Sequence, residues 1–527
     1  MTPLLSLLRT CGERGLSLAG QEDCLVVRAP AGALDDELVD QLRRFKQELL
    51  SRLRAGAIFS LDGEPDTAPD APGGAMPLLP NNYWFFKRKS LNHWNASGLF
   101  ETGSAFTPEL LRAGIAALLA HHDGLRSKWI RQGSDWSVRI QPLEEMAPWW
   151  REVDLSETPD AELKQAIENA CDAQQHALDI EQVLFCAVRF NLGPKRNARL
   201  MLAMHHLIVD GFSIGILFQD LLSVLHALAA GLAPQLAPKT ASVRTLSHFM
   251  HRHTRRLDLA AELRYWRERP WRRSPPLPQG KSEAAASDGG SALPRSAVQR
   301  LDTALTARLE DLPSAYPGIA LNHVLIAALA LAWREWTGGD ALILNLVHHG
   351  RTLPDGGTLD LSRTVAWVSN YANYVFDLAG CADGMSAVLA VKRQYEELVG
   401  REVHFTLLRY MHPDAEVRSE MAAFPEHRLE FNFIPRQGDI SLPVPATDTG
   451  NGGWDGALRF TFAPESPGPQ DGPMHAGFTP FSMAFFEDEH LVLRWTYCAS
   501  RFSQDEFEAF ARMNAQQLKT LVEELSS

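Results

Sequence analysis

Two adjacent histidines, an aspartate and a glycine fall within seven residues in the stretch Met204-His205-His206-Leu207-Ile208-Val209-Asp210-Gly211-Phe212-Ser213. Imidazole titrates at about pH 6.5, which suits a general base that takes a proton from an amine or alcohol nucleophile. No serine or cysteine stands beside the pair in a nucleophile elbow, so the chemistry implied is direct acyl transfer without an acyl-enzyme. Leu200 to Met204 read as a buried strand that delivers both histidines to its end. Strand alternation sends His205 and His206 to opposite faces, so one can face a cleft while the other packs beneath it. Asp210 is too close along the chain to orient the imidazole and reads as a loop anchor paired with a cation. Gly211 opens a helix with the apolar stripe Ile214, Leu217 and Leu221. A glycine there lets a ligand approach the backbone and offers an N–H at a helix start.

Two other His-His pairs compete for the same role. His121 and His122, in LLAHHDGLR, end a helix whose apolar face is Leu110, Ile115, Leu118 and Leu119. Imidazoles at a helix C-terminus complement its dipole and need no catalytic explanation. His348 and His349, in LVHHGRT, end an apolar strand, and the informative residue there is Arg351.

These elements need a large scaffold. The chain has 527 residues, 45% of them hydrophobic, enough for two or three domains. Acidic residues outnumber basic ones 64 to 51, a formal charge of −13, which argues against a nucleic-acid partner. The six cysteines show no CxxC pair and read as reduced thiols, with no disulfide framework and no metal site. The apolar N-terminus is broken by Arg9, Glu13 and Arg14, unlike a signal peptide, and no apolar run reaches membrane-spanning length. The expectation is a cytoplasmic protein with no membrane partner.

Two stretches rich in Pro, Gly and Ala, residues 60–77 and 272–297, read as linkers. Residues 1–59 form a small unit in the order helix, hairpin, helix. Its strands are LSLA and CLVVR, and its last helix carries Leu38, Leu42, Phe45 and Leu49 on one face. So small a unit has an open sheet edge suited to a partner strand, with Leu16, Leu18, Leu25, Val27 and Arg28 as docking candidates. Residues 78–271 and 298–527 repeat one grammar of strands and helices, an α/β (α+β) pseudodimer with a cleft between its lobes. An internal pseudodimer needs no partner subunit to complete that cleft, so a monomer is expected.

HHxxxDG at a strand-to-helix junction in a two-lobed body resembles the condensation domains of nonribosomal peptide synthetases. Leu125-Arg126 with Trp129 resembles the family's LRxxF-like strand. HHGRTLPDGGTLDLSRTVAWVSNY resembles its Gly-Arg loop and V-G-W-F segment, with Ala366 for Gly and Val368 for Phe. Residues 1–59 resemble the β-hairpin docking domains that open some synthetase subunits. The resemblance implies a chloramphenicol-acetyltransferase-like pseudodimer whose donor arrives on the phosphopantetheine arm of an acyl or peptidyl carrier protein, with no bound cofactor. It makes His206 the catalytic base or positioning histidine and His205 its packed neighbour. It pairs Asp210 with Arg351 across the lobes and sets Gly211 near the thioester carbonyl. Trp367, Asn370 and Ser482 are further candidates for lining the site.

Subtype turns on single residues. Heterocyclisation domains carry aspartates where this chain keeps His205 and His206. Epimerisation domains resemble NNYWFFKRKSLNHWNASGLFE and LEFNFIPRQGD, yet their E-G-H-G-R glutamate is replaced here by Val347, which cannot move a proton. Acyl-CoA-dependent acyltransferases share HHxxxDG, but the late DFGWG segment of the alcohol acyltransferases is missing and they need no docking hairpin. A non-catalytic recruiting domain is a third class. No adenylation or carrier segment is recognisable, so a free-standing enzyme is expected. Its carrier would bind by a short C-terminal tail on the hairpin, and it would act on a small-molecule or carrier-bound amine or hydroxyl, at an odd junction or at chain release.

Overall fold

The computed structural model describes residues 7, 10–11, 17–21, 24–28, 34–54, 75–87, 91–133, 135–278, 294–354, 359–436, 460–472 and 479–526. The N-terminal unit contains strands β1 (Ser17–Gln21) and β2 (Cys24–Arg28), paired antiparallel, and helices α1 (Asp36–Arg44) and α2 (Lys46–Arg54). Asp35 caps α1 by accepting from the Leu38 amide at 2.8 Å. Leu7, Cys11, Leu38, Leu42 and Leu49 form the core, with Leu25, Val27 and Phe45 packed against it. Leu25 and Val27 therefore pack against the unit's own core. Leu16 lies outside the described residues, and Leu18 and Arg28 are placed only by register, opposite Val27 and Ser17.

The first lobe is built on a five-stranded sheet, in the order β14-β4-β9-β8-β7. Its strands are β4 (Asn95–Thr102), β7 (Trp150–Asp154), β8 (Phe185–Asn191), β9 (Ala198–His205) and β14 (Phe460–Phe462). A smaller sheet joins β3 (Ala75–Met76), β6 (Asp135–Ile140) and β5 (Ser127–Gln132), and helix α3 (Pro80–Phe85) follows β3. Alternation divides the five-stranded sheet cleanly. Phe100, Leu200, Leu202 and Met204 join the core under helices α4 (Pro108–His121) and α6 (Gly211–Ala229). Leu99, Met201 and Ala203 join a second core with Ile167 and Cys171 of helix α5 (Asp160–His176). By length and composition α6 could cross a membrane, yet its Ile216, Leu217, Leu221, Val224 and Leu225 are buried in this lobe.

The second lobe holds a six-stranded sheet, in the order β10-β16-β15-β13-β11-β12. Its members are β10 (Pro294–Arg300), β11 (Ala341–His348), β12 (Asn370–Asp377), β13 (Leu429–Ile434), β15 (Phe481–Glu487) and β16 (His490–Cys498). Helices at Thr303–Ala315, Leu321–Thr337, Gly384–Glu396 and Gln504–Leu525 contribute to the core on one of its faces.

The lobes are less separate than the linker composition suggests. Ala75 and Met76, assigned to a linker, pair with Arg139 and Val138. Pro294 to Ala297, also assigned to a linker, open β10 against β16. Leu263, Trp266, Trp271 and Leu277 belong to the second lobe's core, so the chain changes lobes before residue 272. In return β14 extends the first lobe's sheet, and Leu353, Leu359, Leu361 and Val365 to Val368 enter the first lobe's core. The site lies beside one of these exchanged segments, residues 365–368.

Candidate functional site

His205 ends β9, fully buried. Its Nε2 lies 2.7 Å from the Leu91 carbonyl, and its Nδ1 accepts the Leu207 amide at 3.1 Å. A carbonyl accepts only, so Nε2 carries the proton and the ring is held neutral with both nitrogens engaged. Such an imidazole cannot act as a base; it fixes the turn that follows.

His206 is presented by that turn. Its amide donates to the Trp94 carbonyl at 2.8 Å, and its ring stacks on the Trp94 indole at 4.1 Å and 7°. Trp367 meets it edge-on at 5.7 Å and 76°. Trp84 bridges Trp94 and Trp367 at 6.1 and 6.3 Å, and Phe85 stacks on Trp94 at 5.6 Å. The two indoles hold the His206 ring in one orientation at the mouth of the turn.

Asp210 is scaffold. It caps α6 by accepting from the Ser213 amide at 2.8 Å and the Ser213 hydroxyl at 2.7 Å. It also accepts from the amides of Val368 and Ser369, at 3.0 and 2.9 Å, and from both terminal nitrogens of Arg351, at 3.0 and 3.1 Å. Burial alone would raise its pKa, but Arg351 and Ser213 hold the carboxyl below its ordinary value. Arg351 further donates to the His349 and Thr364 carbonyls and lies 4.3 Å over the Phe212 ring. Every hydrogen-bonding position of this carboxylate is directed at structure rather than at a substrate. Gly211 is different: it is exposed, and a Cβ built on it meets nothing within 4 Å.

The other candidates separate by strand parity. Asn370 faces His348 across β11 and β12, on the side of Leu346 and Ala372 that packs into the second lobe's core. His348 there stacks against Tyr374 at 6.1 Å, and burial pushes its pKa down to about 4. One residue on, Tyr371 takes the opposite face beside Val347 and stacks on Trp84 at 5.2 Å. Asn370 is thus corrected to Tyr371 as the β12 residue that reaches the aromatic cluster. Ser482 is corrected too: it sits in a row with Leu346, Phe431 and Trp495, on the core face and 1% exposed. Trp84, Phe85 and Trp94 were not singled out, although Trp94 could be reached by pairing NHWNASGLFE against the strand that ends at His205. The His121-His122 pair is structural. His122 caps α4 and lies 2.8 Å from Asp220, which also bonds Arg363.

Comparison with known proteins agrees with this geometry. The model of the condensation domain matches residues 75–433. One of the linear gramicidin synthase proteins of Brevibacillus parabrevis is 29% identical over 489 residues, 91% of this chain and 9% of that protein. Chondramide synthase of Chondromyces crocatus is 32% identical over 434 residues, 80% of this chain and 10% of its own length. The chain therefore belongs to the condensation-domain family, acyltransferases of nonribosomal peptide synthesis that work with carrier proteins, and it spans about a tenth of the length of these relatives. Among solved structures, the epimerization domain from the third module of tyrocidine synthetase B is similar with TM-score 0.72 and 21% identity, over 86% of this chain and 97% of that one. A structure described for condensation domain-mediated chain release from the enacyloxin polyketide synthase is similar with TM-score 0.60 and 18% identity, over 99% of this chain and 96% of that one. The cyclization-docking bidomain from Sorangium cellulosum is similar with TM-score 0.62 and 17% identity, over 99% of both chains. These likenesses show a shared two-lobed mixed α/β fold.

Proposed function

We propose that this protein transfers an acyl chain from a carrier-protein phosphopantetheine thioester to an amine or hydroxyl, forming an amide or ester. The observation that carries the reading is His206, held by its backbone and by Trp94 at the junction of the lobes while His205 and Asp210 are committed to structure. The acceptor heteroatom attacks the thioester carbonyl carbon as His206 takes its proton. The C–S bond then breaks, and the departing pantetheine sulfur takes that proton, leaving amide or ester plus free thiol. In this reading the Gly211 N–H, at the positive end of a 19-residue helix, stabilises the oxyanion.

The acceptor is a small molecule or a carrier-bound group, and the step is chain release, the process named for the enacyloxin neighbour. The N-terminal unit recruits the carrier by adding its tail as a third strand beside β1 or β2. The enzyme acts as a cytoplasmic monomer. The test compares acyl-carrier with acyl-CoA donors, in the full chain and after deletion of residues 1–59. Turnover with the carrier donor alone, with KM for the carrier rising on deletion, supports the proposal. Equal use of acyl-CoA makes the protein a CoA-dependent acyltransferase instead.

A further inference from the structure

The chain from Phe460 to Gly472 reaches the first lobe from the second, since strands β13 and β15 flank it in sequence. It runs as a strap, antiparallel, along the outer edge of β4. Phe460 to Phe462 form β14 opposite Phe100 to Thr102, and the Ala463 amide donates to the Leu99 carbonyl at 3.0 Å. Pairing resumes beside the site. The Asn95 amide donates to the Gln470 carbonyl and the Gly472 amide to the His93 carbonyl, both at 2.8 Å, with Asp471 bridged to Trp94. Between the two pairings six strap residues, Pro464 to Pro469, span three of β4, Ala96 to Gly98. Three of the six are prolines, which cannot donate to a ladder, so the surplus leaves the edge as a bulge.

The bulge is seated on the first lobe. Glu465 accepts from Arg199 at 2.9 and 3.1 Å, and the Ser466 amide donates to Glu168 at 3.0 Å. Gly468, at φ +88°, lies against Asp172, where a Cβ would stand 3.4 Å from the Asp172 Cα. Gln175, with no exposed surface, donates from Nε2 to the Pro467 carbonyl at 2.7 Å. It also accepts from the Asn95 side-chain amide, at 3.2 Å on Oε1 and 3.3 Å on its backbone carbonyl. Glu168, Asp172 and Gln175 recur at i, i+4 and i+7, one face of α5. Gln175 thus ties the bulge to β4 one residue from Trp94, whose carbonyl holds the His206 amide and whose indole stacks on its ring.

Resting on the acyl-transfer reading above, we infer that Gln175 is a positioning residue for His206. It fixes the register of the strap against residues 93–95 and, through Trp94, the orientation of the imidazole. Backbone pairing alone permits a slip along the edge, and a bulge keyed to a neighbouring helix forbids it. The base carried by the first lobe is in this way held by a segment of the second.

The test follows the His206 ring by NMR in the full chain with carbon-13-labelled histidine. Its resonance is the one missing from His206→Ala, and stacking on an indole displaces it upfield. Gln175→Met removes both side-chain hydrogen bonds at similar volume. Val188→Ala, in the same core but two strands from β4, is the control for stability alone. In folded Gln175→Met the His206 resonance should move toward the unstacked position, and kcat for acyl transfer should fall about 10- to 100-fold with KM for the donor within about twofold of wild type. Val188→Ala should lower the melting temperature and leave both the resonance and kcat in place. A Gln175→Met protein whose His206 resonance stays where it is in wild type overturns the inference, whatever happens to its stability. The resonance decides the positioning role whether or not transfer is seen; an upfield His206 in wild type with no transfer to any acceptor sinks the acyl-transfer reading and not the positioning.

Discussion

Replacing Arg351 by alanine separates scaffold from catalyst at this site. The Asp210 carboxylate is 2% exposed and would keep four neutral donors, from Val368, Ser369 and Ser213, but lose the cation. Breaking a buried pair by removing one partner costs about 3–5 kcal/mol, because the remaining charge is stranded away from water. For a lobe in the range of 150–250 residues each kcal/mol is worth about 2–4 °C, so the melting temperature should fall by roughly 6–20 °C. Asp210 also caps α6 and ties residues 368 and 369 to it, so the loop that carries His206 should loosen and turnover should fall together with stability. Arg351→Lys should recover only part of the loss, since one ammonium cannot span both carboxylate oxygens as the guanidinium does. Differential scanning calorimetry and acyl-transfer rates, measured well below the melting temperature of each variant, provide the assay. An Arg351→Ala protein that melts within 1 °C or so of wild type yet has lost turnover refutes the scaffold argument and puts Arg351 in contact with substrate.

Three further outcomes are expected. Gly211→Ala should leave the melting temperature unchanged or slightly higher, since its Cβ enters open space and the unfolded chain loses freedom, yet should slow acyl transfer by crowding the thioester; unaltered transfer removes Gly211 from the reacting carbonyl. Because the folded pKa of His348 is depressed from 6.5 to about 4, the folded state binds fewer protons than the unfolded one. Its contribution, ~3 kcal/mol, is complete above about pH 6.5 and disappears as pH falls toward 4; His348→Phe should flatten the melting curve across that window, and parallel curves would contradict this. With Val347 in place of a carboxylate, an acyl-carrier substrate incubated in heavy water should gain no deuterium at its α-carbon, and a mass gain of one deuteron would restore the epimerase reading.

The HHxxxDG cluster was legible because its features are local: an apolar strand, a glycine at a helix start, and an aspartate spaced to cap that helix. The Asp210–Arg351 pair was reached through family resemblance, since 141 residues separate the two and neither alone identifies the other. Asn370 and Tyr371 show where local reading stops. A one-residue uncertainty in the start of β12 exchanges the cleft face for the core face, and VAWVSNYANY has neither a Gly nor a Pro to mark where the strand begins. Ser482 failed for the same reason in β15. The exchange of segments between lobes was not legible at all. β14 is three residues long and pairs with Phe100, Glu101 and Thr102 across more than 350 residues of chain. The stretch from Leu263 to Leu277 reads as the end of one half while its tryptophans fill the core of the other.

The central claim is that His206 performs acyl transfer and His205 does not. Intact-protein mass spectrometry of an acyl-loaded carrier, incubated with amines and alcohols and either wild type or His206→Ala, tests it most directly. Loss of the acyl mass with matching amide or ester product in wild type, and retention of the acyl mass with the folded His206→Ala variant, is the result expected. Product formation by His206→Ala at the wild-type rate would contradict the account.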